Sequence, residues 1–325
     1  MPMFRVHLHE SDLFVSALCF GAGDLGTRAR GAEAERLVAD FVEAGGDFFD
    51  TAHCYAFWVE DGLGASEREL GRCLKQLGCQ DHVVVATKGG HPDGGEAYRR
   101  PDRYLSPEVI SRDVDESLER LGMDCVPVYY LHRDDTRVPV GEIVDALNQE
   151  VLAGNIGCLG ASNWSVRRIA DANEYAARKG YQGFVLSQVQ WSLAEPTWEM
   201  GADPTMRFVT PHDAHEYAEM RVAVTAYTST AAGYFAREDP AGHAFHTPAN
   251  AARSARARDL AAQIGCTPTQ IALAWVLHQR PLVIPVVGTL NRDHLAEAIG
   301  AVALRLPPAQ VKWLRDGDGD GNDER

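Results

Sequence analysis

The chain has 325 residues, 45% of them hydrophobic and 24% charged, enough apolar material for a full core and too much for a disordered chain. Its 31 Lys and Arg against 46 Asp and Glu leave a formal charge of −15, which repels nucleic acid and anionic membrane but does not exclude a small phosphorylated ligand at a locally positive site. No apolar run reaches the roughly 18 residues of a spanning helix, and the seven scattered cysteines hold no C-x-x-C pair, so they read as reduced thiols of a cytoplasmic protein.

In chain order, the opening MPMFRVHLHESDLF lacks the basic-then-apolar order of a secretion signal and reads as a β-hairpin carrying His7 and His9. Short β-rich runs then predict strands at 15–20, 48–50, 83–87, 126–131, 158–161, 184–189, 222–226 and 283–287. Amphipathic stretches predict helices at 32–43, 66–76, 109–120, 140–152, 165–177 and 259–278, several followed by glycine. Eight strands each followed by a helix is the arithmetic of an α/β (β/α)8 TIM barrel, here with an N-terminal β-hairpin and long loops on the C-terminal face.

A doubly wound sheet is the rival fold. Gly21-x-Gly23-x-x-Gly26 follows the first strand with dinucleotide-fold spacing, but the acidic residue expected in a following strand is missing, Asp40 falling mid-helix. Irregular segments at 89–105, 193–211 and 231–249 follow the third, sixth and seventh strands, at the rim where barrels build their sites. The barrel is expected over residues 1–315 as one domain, with the low-complexity 316–325 a disordered acidic tail. Asp316-x-Asp318-x-Asp320-Gly321 imitates the start of a calcium loop, but the twelfth-position ligand falls beyond Arg325 and no calcium is expected.

Barrel strand ends converge, so residues distant in sequence meet there. The second strand ends Phe49-Asp50-Thr51-Ala52-His53-Cys54-Tyr55, the third Ala86-Thr87-Lys88, and the fourth Tyr130-Leu131-His132. Singly, each has an ordinary role: Asp before Thr caps a helix, Lys is a solvated charge, His is a satisfied rim residue. Together Asp50, Tyr55, Lys88 and His132 make a proton-delivery device. A phenol of pKa about 10 is a poor acid at neutral pH. A neighbouring ammonium is expected to lower that pKa, a carboxylate to keep the ammonium charged, and an imidazole to hold a carbonyl oxygen.

At these residues the chain resembles the aldo-keto reductases. The motifs run in order: F-D-T-A-x-x-Y ending at Tyr55, T-K at Thr87-Lys88, L-H at Leu131-His132, G-x-S-N ending at Asn163, then Gln188, Ala226-Tyr227 and Ile284-Pro285. The resemblance implies a barrel enzyme reducing an aldehyde or ketone, sugar-like or a secondary metabolite, to an alcohol, with NADPH extended over the C-terminal face. It assigns Tyr55 as general acid, Lys88 and Asp50 as the groups tuning it, and His132 as the residue orienting the carbonyl. Gly21, Ala22 and Gly23 are implied to pass beneath the nicotinamide ribose. Ser162, Asn163 and Gln188 are implied to bind the carboxamide, and Tyr227 to stack on the ring, with Thr228 and Ser229 following it along the cofactor. Gly288, Thr289, Asn291, Arg292, His294, Glu297 and Ala298 are implied to form the adenosine-phosphate end. There the pattern departs, since His294 and Ala298 stand where Arg and Asn are common. NADP is therefore expected with NAD possible, and Thr289, Asn291 and Arg292 are the candidate phosphate clamp. Trp58, Arg133, Trp164 and Trp191 are candidate substrate walls, with Trp198 beside them.

Two further readings compete. His7-x-His9 with Lys88 and His132 imitates a metal-dependent amidohydrolase, but the pair precedes the first barrel strand and the lysine follows the third, so no metal is expected. A nicotinamide-binding regulatory subunit with little turnover is the alternative to an enzyme. The expected partner is a small carbonyl or alcohol, with no nucleic acid or membrane, the chain being a monomer or homo-oligomer.

Overall fold

The structure is a computed structural model that describes residues 3–197 and 205–317. An antiparallel hairpin of β1 (Arg5–His7) and β2 (Phe14–Ser16) comes first, Val6 facing Val15. The first half of the barrel follows as β3 (Cys19–Gly21), α1 (Ala32–Glu43), β4 (Phe48–Asp50), α2 (Ala65–Leu77), β5 (Val84–Gly89), α3 (Pro107–Leu121), β6 (Val126–Leu131) and α4 (Val140–Ala153). The second half comprises β7 (Ile156–Ser162), α5 (Val166–Lys179), β8 (Phe184–Gln190), α6 (Pro211–Glu219), β9 (Ala223–Tyr227), α7 (Pro248–Ile264), α8 (Pro268–Leu277), β10 (Val283–Val287), α9 (Arg292–Ala301) and α10 (Pro308–Asp316). The eight strands from β3 to β10 are parallel, and β10 pairs with both β9 and β3, closing the expected (β/α)8 barrel.

Strands buried on both faces account for the unbroken apolar runs. Cys19, Phe48, Ala86, Val128, Tyr130, Leu186 and Ile284 fill the interior, and Leu8 and Val15 of the hairpin join them, plugging the N-terminal end. Tyr130 and Thr225 pair their hydroxyls across that interior at 2.9 Å, so neither is buried unsatisfied. A second shell of Phe41, Leu70, Ile110, Leu147, Ile169 and Ile271 seals helices to barrel, each such side chain contributing about 1.5–3 kcal/mol on burial.

Two elements differ from the sequence expectation. The run at 15–20 is two strands, because the buried Ser16 hydroxyl accepts from the amides of Asp47 (3.1 Å) and Phe48 (3.2 Å) and turns the chain from hairpin into barrel. The stretch at 259–278 is two helices bent by 100°. Gly265 at φ 80° ends α7, and Thr267 opens α8 with a reciprocal cap to Gln270 just ahead of Pro268. Periodicity cannot show a break at which both halves keep an apolar face.

His7 and His9 lie on the hairpin, at the barrel end opposite Lys88, so the amidohydrolase arrangement is not formed. All seven cysteines are unpaired. Asp316, assigned to the tail by composition, belongs to α10 and pairs with Lys312 and Arg315. Asp318, Asp320 and Gly321 of the calcium-loop imitation lie outside the described residues, as does Trp198. Among the described residues no single helix is long and apolar enough to cross a membrane.

Candidate active site

Register brings the site together. Gly21 pairs with Asp50, Asp50 with Ala86, Lys88 with Tyr130, and Ser162 with Gln188. The ladder continues past the strand ends: His53 N donates to Lys88 O (2.9 Å) and His132 N to Gly89 O (2.7 Å). The loops carrying Tyr55 and His132 therefore leave the rim in fixed directions.

Lys88 is the hub. Its Nζ donates to Asp50 Oδ2 at 2.7 Å, to the Thr51 carbonyl at 2.7 Å and to Tyr55 Oη at 3.0 Å. It is 1% exposed, so the charge is worth burying only because every donor is used. The other carboxylate oxygen of Asp50 accepts from Gln188 Nε2 at 2.7 Å. The His132 ring stands edge-on to Tyr55 at 5.7 Å, and Cys54 Sγ lies 3.3 Å from its Nδ1. All four members of the expected tetrad meet.

Protonation follows from burial. Burial raises the Tyr55 pKa above the ordinary phenol value, and Asp50 adds to this, while Lys88 pulls the other way without winning. That corrects the expectation of a lowered phenol, since desolvation outweighs one ammonium already shared with a carboxylate. Burial also opposes the charge on Lys88, but Asp50 and Tyr55 more than offset it and lift its pKa above the usual lysine value. His132 is driven well below the usual imidazole value by burial first, then by Lys88 and His91, and is neutral.

A buried network beneath the rim was not read from the sequence. His53 is 2.7 Å from Glu116 and 3.1 Å from Tyr98 Oη, and Arg120 donates to His53 O and Glu67. Thr87 donates to Glu67 at 2.6 Å. This web ties α2 and α3 to β5, which holds Lys88, and to the loop that holds Tyr55. Its signal was the pair His53-Cys54 at the variable positions of the Tyr55 motif. His91, two residues past Gly89, is a third missed group, its ring 4.9 Å from that of His132.

The residues expected around a nicotinamide stand at or near the C-terminal ends of β3, β7, β8 and β9. A Cβ on Gly21 would come within 3.3 Å of Gly288, so that corner of the rim needs glycine, while Ala22 is buried beside it. A Cβ on Gly23 would sit 3.5 Å from the Tyr55 ring, an ordinary contact. Asn163 Nδ2 donates to Ser162 Oγ (3.0 Å), and Asn163 Oδ1 accepts from Tyr227 Oη (2.9 Å) and Arg207 N (3.1 Å). Asn163 and Thr228 hold left-handed φ of 59° and 53°. For a β-branched threonine that conformation is strained, as residues at functional sites often are. Ser229 is buried and donates to Val286 O at 2.9 Å.

The remaining expected residues separate. Gly288, Thr289, Asn291 and His294 lie on or near the surface at the start of α9, where Asn291 caps the helix by accepting from Asp293 N and His294 N. Arg292 is ion-paired with Asp40 of α1, Nη2 to Oδ1 at 2.7 Å. Glu297 accepts from the Thr267 hydroxyl at the cap of α8. Ala298 is packed into the core and presents nothing to a ligand.

Two substrate walls are corrected. Trp164 is 1% exposed, wedged between Phe184 (5.3 Å) and the Arg168 guanidinium (5.0 Å), and is core. Trp191 packs edge-on to Trp275 and lines a separate cavity of about 470 Å³ with Leu193, Phe208 and Ala214, which no tetrad residue borders. Trp58, by contrast, is 63% exposed and 6.4 Å from the Tyr55 ring, at the mouth of the site. Arg133 follows His132 just past the end of β6 and donates to His132 O at 2.9 Å.

The chain is also similar in sequence to known proteins. A model of the aldo/keto reductase family matches residues 17–316. The uncharacterised oxidoreductase YrpG of Bacillus subtilis is 29% identical, covering 97% of this chain and 95% of its own length. Aldo-keto reductase yakc of Schizosaccharomyces pombe, whose name carries NADP(+), is 28% identical over 87% of this chain and 81% of its own. Probable aldo-keto reductase 1 of Glycine max is 30% identical over 82% and 74% respectively. With a closed (β/α)8 barrel and a match over nearly its whole length, the chain belongs to the aldo/keto reductase family and is an oxidoreductase.

Proposed function

We propose that this chain reduces an aldehyde or ketone to the alcohol with NADPH, the proton coming from Tyr55. The observation that carries the reading is the Lys88 ammonium, held 3.0 Å from the Tyr55 oxygen by Asp50 and the Thr51 carbonyl. Bound dihydronicotinamide supplies the hydride, and with it the electron pair, to the carbonyl carbon. His132 donates from Nε2 to the carbonyl oxygen and orients it. Tyr55 gives its proton to the oxygen as charge develops there, and Lys88 neutralises the phenolate left behind. Because burial keeps the phenol protonated at neutral pH, the acid is loaded before each turnover.

The residues present suit the carboxamide of such a cofactor. Ser162 O–H and the second N–H of Asn163 are donors, and Gln188, with its nitrogen committed to Asp50, keeps Oε1 as an acceptor. That is the complement of a primary amide. Tyr227, anchored through its hydroxyl, offers its half-buried ring for stacking. For the 2′-phosphate, Thr289, Asn291 and Arg292 stand at the positive end of α9. Arg292 already holds Asp40, but the pair is exposed and opens readily. NADP over NAD rests on this arginine and on the name of the yeast relative.

The test is loss of NADPH absorbance with a panel of aldehydes and ketones. Tyr55→Phe, which keeps the ring but removes one of the three acceptors of Lys88, should lower kcat/KM by about 10²–10⁴. Equal turnover by both proteins rejects Tyr55 as the acid. Tight NADPH binding without turnover by the wild type favours the regulatory reading.

A further inference from the structure

The loop after β5 carries a histidine that proton delivery does not use. Gly90, at φ 68°, turns the chain directly after Lys88 and Gly89, and its amide is held by Asp113 Oδ2 at 2.9 Å. His91 is thereby laid against His132, ring centroids 4.9 Å apart and planes at 74°. Phe57 and Tyr98 back it, each 5.9 Å away, and it stays half-buried rather than sealed.

A hydrogen bond to a carbonyl fixes the tautomer of His91, and a thiol contact bears on that of His132. His91 Nδ1 lies 2.9 Å from the Pro92 carbonyl, which only accepts, so Nδ1 is the donor. Burial, aided by Arg133 and Arg100, holds the ring's pKa down to about 4, so at physiological pH it is neutral and Nε2 is an acceptor. On His132 the roles reverse. Its Nδ1 faces Cys54, whose thiol pKa is pushed up to about 12 by burial. The protonated thiol can donate to Nδ1, and in that tautomer the hydrogen of neutral His132 stands on Nε2. Neither Nε2 has a protein partner among the described residues. Two adjacent rings thus present one donor and one acceptor.

We propose that the site selects carbonyl compounds bearing a hydroxyl on the neighbouring carbon, His132 Nε2–H holding the carbonyl oxygen and His91 Nε2 accepting from the hydroxyl. The proposal rests on the reading of Tyr55 as proton donor. A ketone without the hydroxyl leaves the His91 acceptor desolvated and unpaired, which a site built for a hydroxyl penalises. As a mere packing residue, His91 would serve both kinds of substrate alike.

The experiment compares hydroxyacetone with 2-butanone, near-isosteres that differ by hydroxyl for methyl, in wild type, His91→Phe and His91→Asn. The expected result is a kcat/KM ratio favouring hydroxyacetone in the wild type. His91→Phe should shrink that ratio about tenfold, the scale of one neutral hydrogen bond, and His91→Asn, which keeps an acceptor, should restore most of it. An unchanged ratio in His91→Phe, or equal losses on both ketones, overturns the proposal and leaves carbonyl reduction standing. No turnover of either ketone by the wild type overturns the proposal, and none across the aldehyde panel as well overturns the underlying reading with it.

Discussion

Replacing Lys88 by Met separates the two jobs of its ammonium. Methionine fills the same stem volume but leaves the Asp50 carboxylate, 4% exposed, with Gln188 Nε2 as its remaining side-chain donor. Removing one partner of a buried ion pair costs about 3–5 kcal/mol because the other charge stays buried. Activity should fall by about 10²–10⁴, the usual share of a proton-transfer group. Asp50→Asn in the same background removes the stranded charge and keeps the hydrogen bond from Gln188. The double variant should therefore recover most of the lost stability and none of the turnover. Urea unfolding of wild type, the two single variants and the double variant gives the coupling directly, and about 1–3 kcal/mol is expected for groups in contact. If the single effects add to within about 0.5 kcal/mol, the pair is not coupled and the buried-charge argument fails. Recovery of turnover by the double variant would refute Lys88 as the partner of Tyr55.

Asp40→Asn frees Arg292 from its ion pair and removes a negative charge beside the expected phosphate. NADPH should bind a few-fold more tightly with NADH unchanged, as read by fluorescence titration; equal shifts for both would remove Arg292 as the clamp. Trp164→Ala should cost about 3–5 kcal/mol as a core deletion without altering substrate preference. Trp58→Ala should move stability by less than about 0.5 kcal/mol yet raise KM; the opposite pattern would reverse the two assignments. Stability should also fall at both pH extremes. His91 and His132 have depressed pKa values, so their contribution is present above about pH 6.5 and is lost as pH falls through the folded values, about 4 for His91. Lys88 and Tyr55 have raised values, so theirs holds below about pH 10 and is lost above it. Melting temperature followed across pH checks both limbs, and His91→Phe should flatten the acid one.

The tetrad and the barrel were legible because both are periodic facts. Successive strands carry a polar residue at or just past their ends, so Asp50, Lys88 and His132 announce a rim without any contact being known. What the sequence hides is direction. Trp164 and Trp58 are the same residue type in similar loops, yet one is sealed against Phe184 and the other stands in solvent. The split at Ser16 and the bend at Gly265 were hidden for a related reason, since hydrophobic period survives a corner when both arms face the core. His53 and His91 escaped because each draws its meaning from partners far along the chain: Glu116 for one, His132 for the other.

At Tyr55 burial outweighs the neighbouring ammonium, and the same effect reaches the whole site. One cause, exclusion of water, sets every protonation state in it. The same burial keeps the phenol loaded, the two imidazoles neutral and the Cys54 thiol protonated. Lys88 stays charged because its donors are all taken and it is ion-paired with the Asp50 carboxylate 2.7 Å away. The result is one ion pair among neutral donors and acceptors, its ammonium 3.0 Å from the Tyr55 oxygen, where the proposed proton transfer would leave negative charge. An oxyanion forming beside that cation meets a field already in place, so little reorganisation is left for the reaction to drive. Reduction should accordingly keep a level rate through neutral pH and slow only in alkali, past the raised Tyr55 value. A decline centred near pH 7 with chemistry rate-limiting would mean that an imidazole, not the phenol, carries the proton.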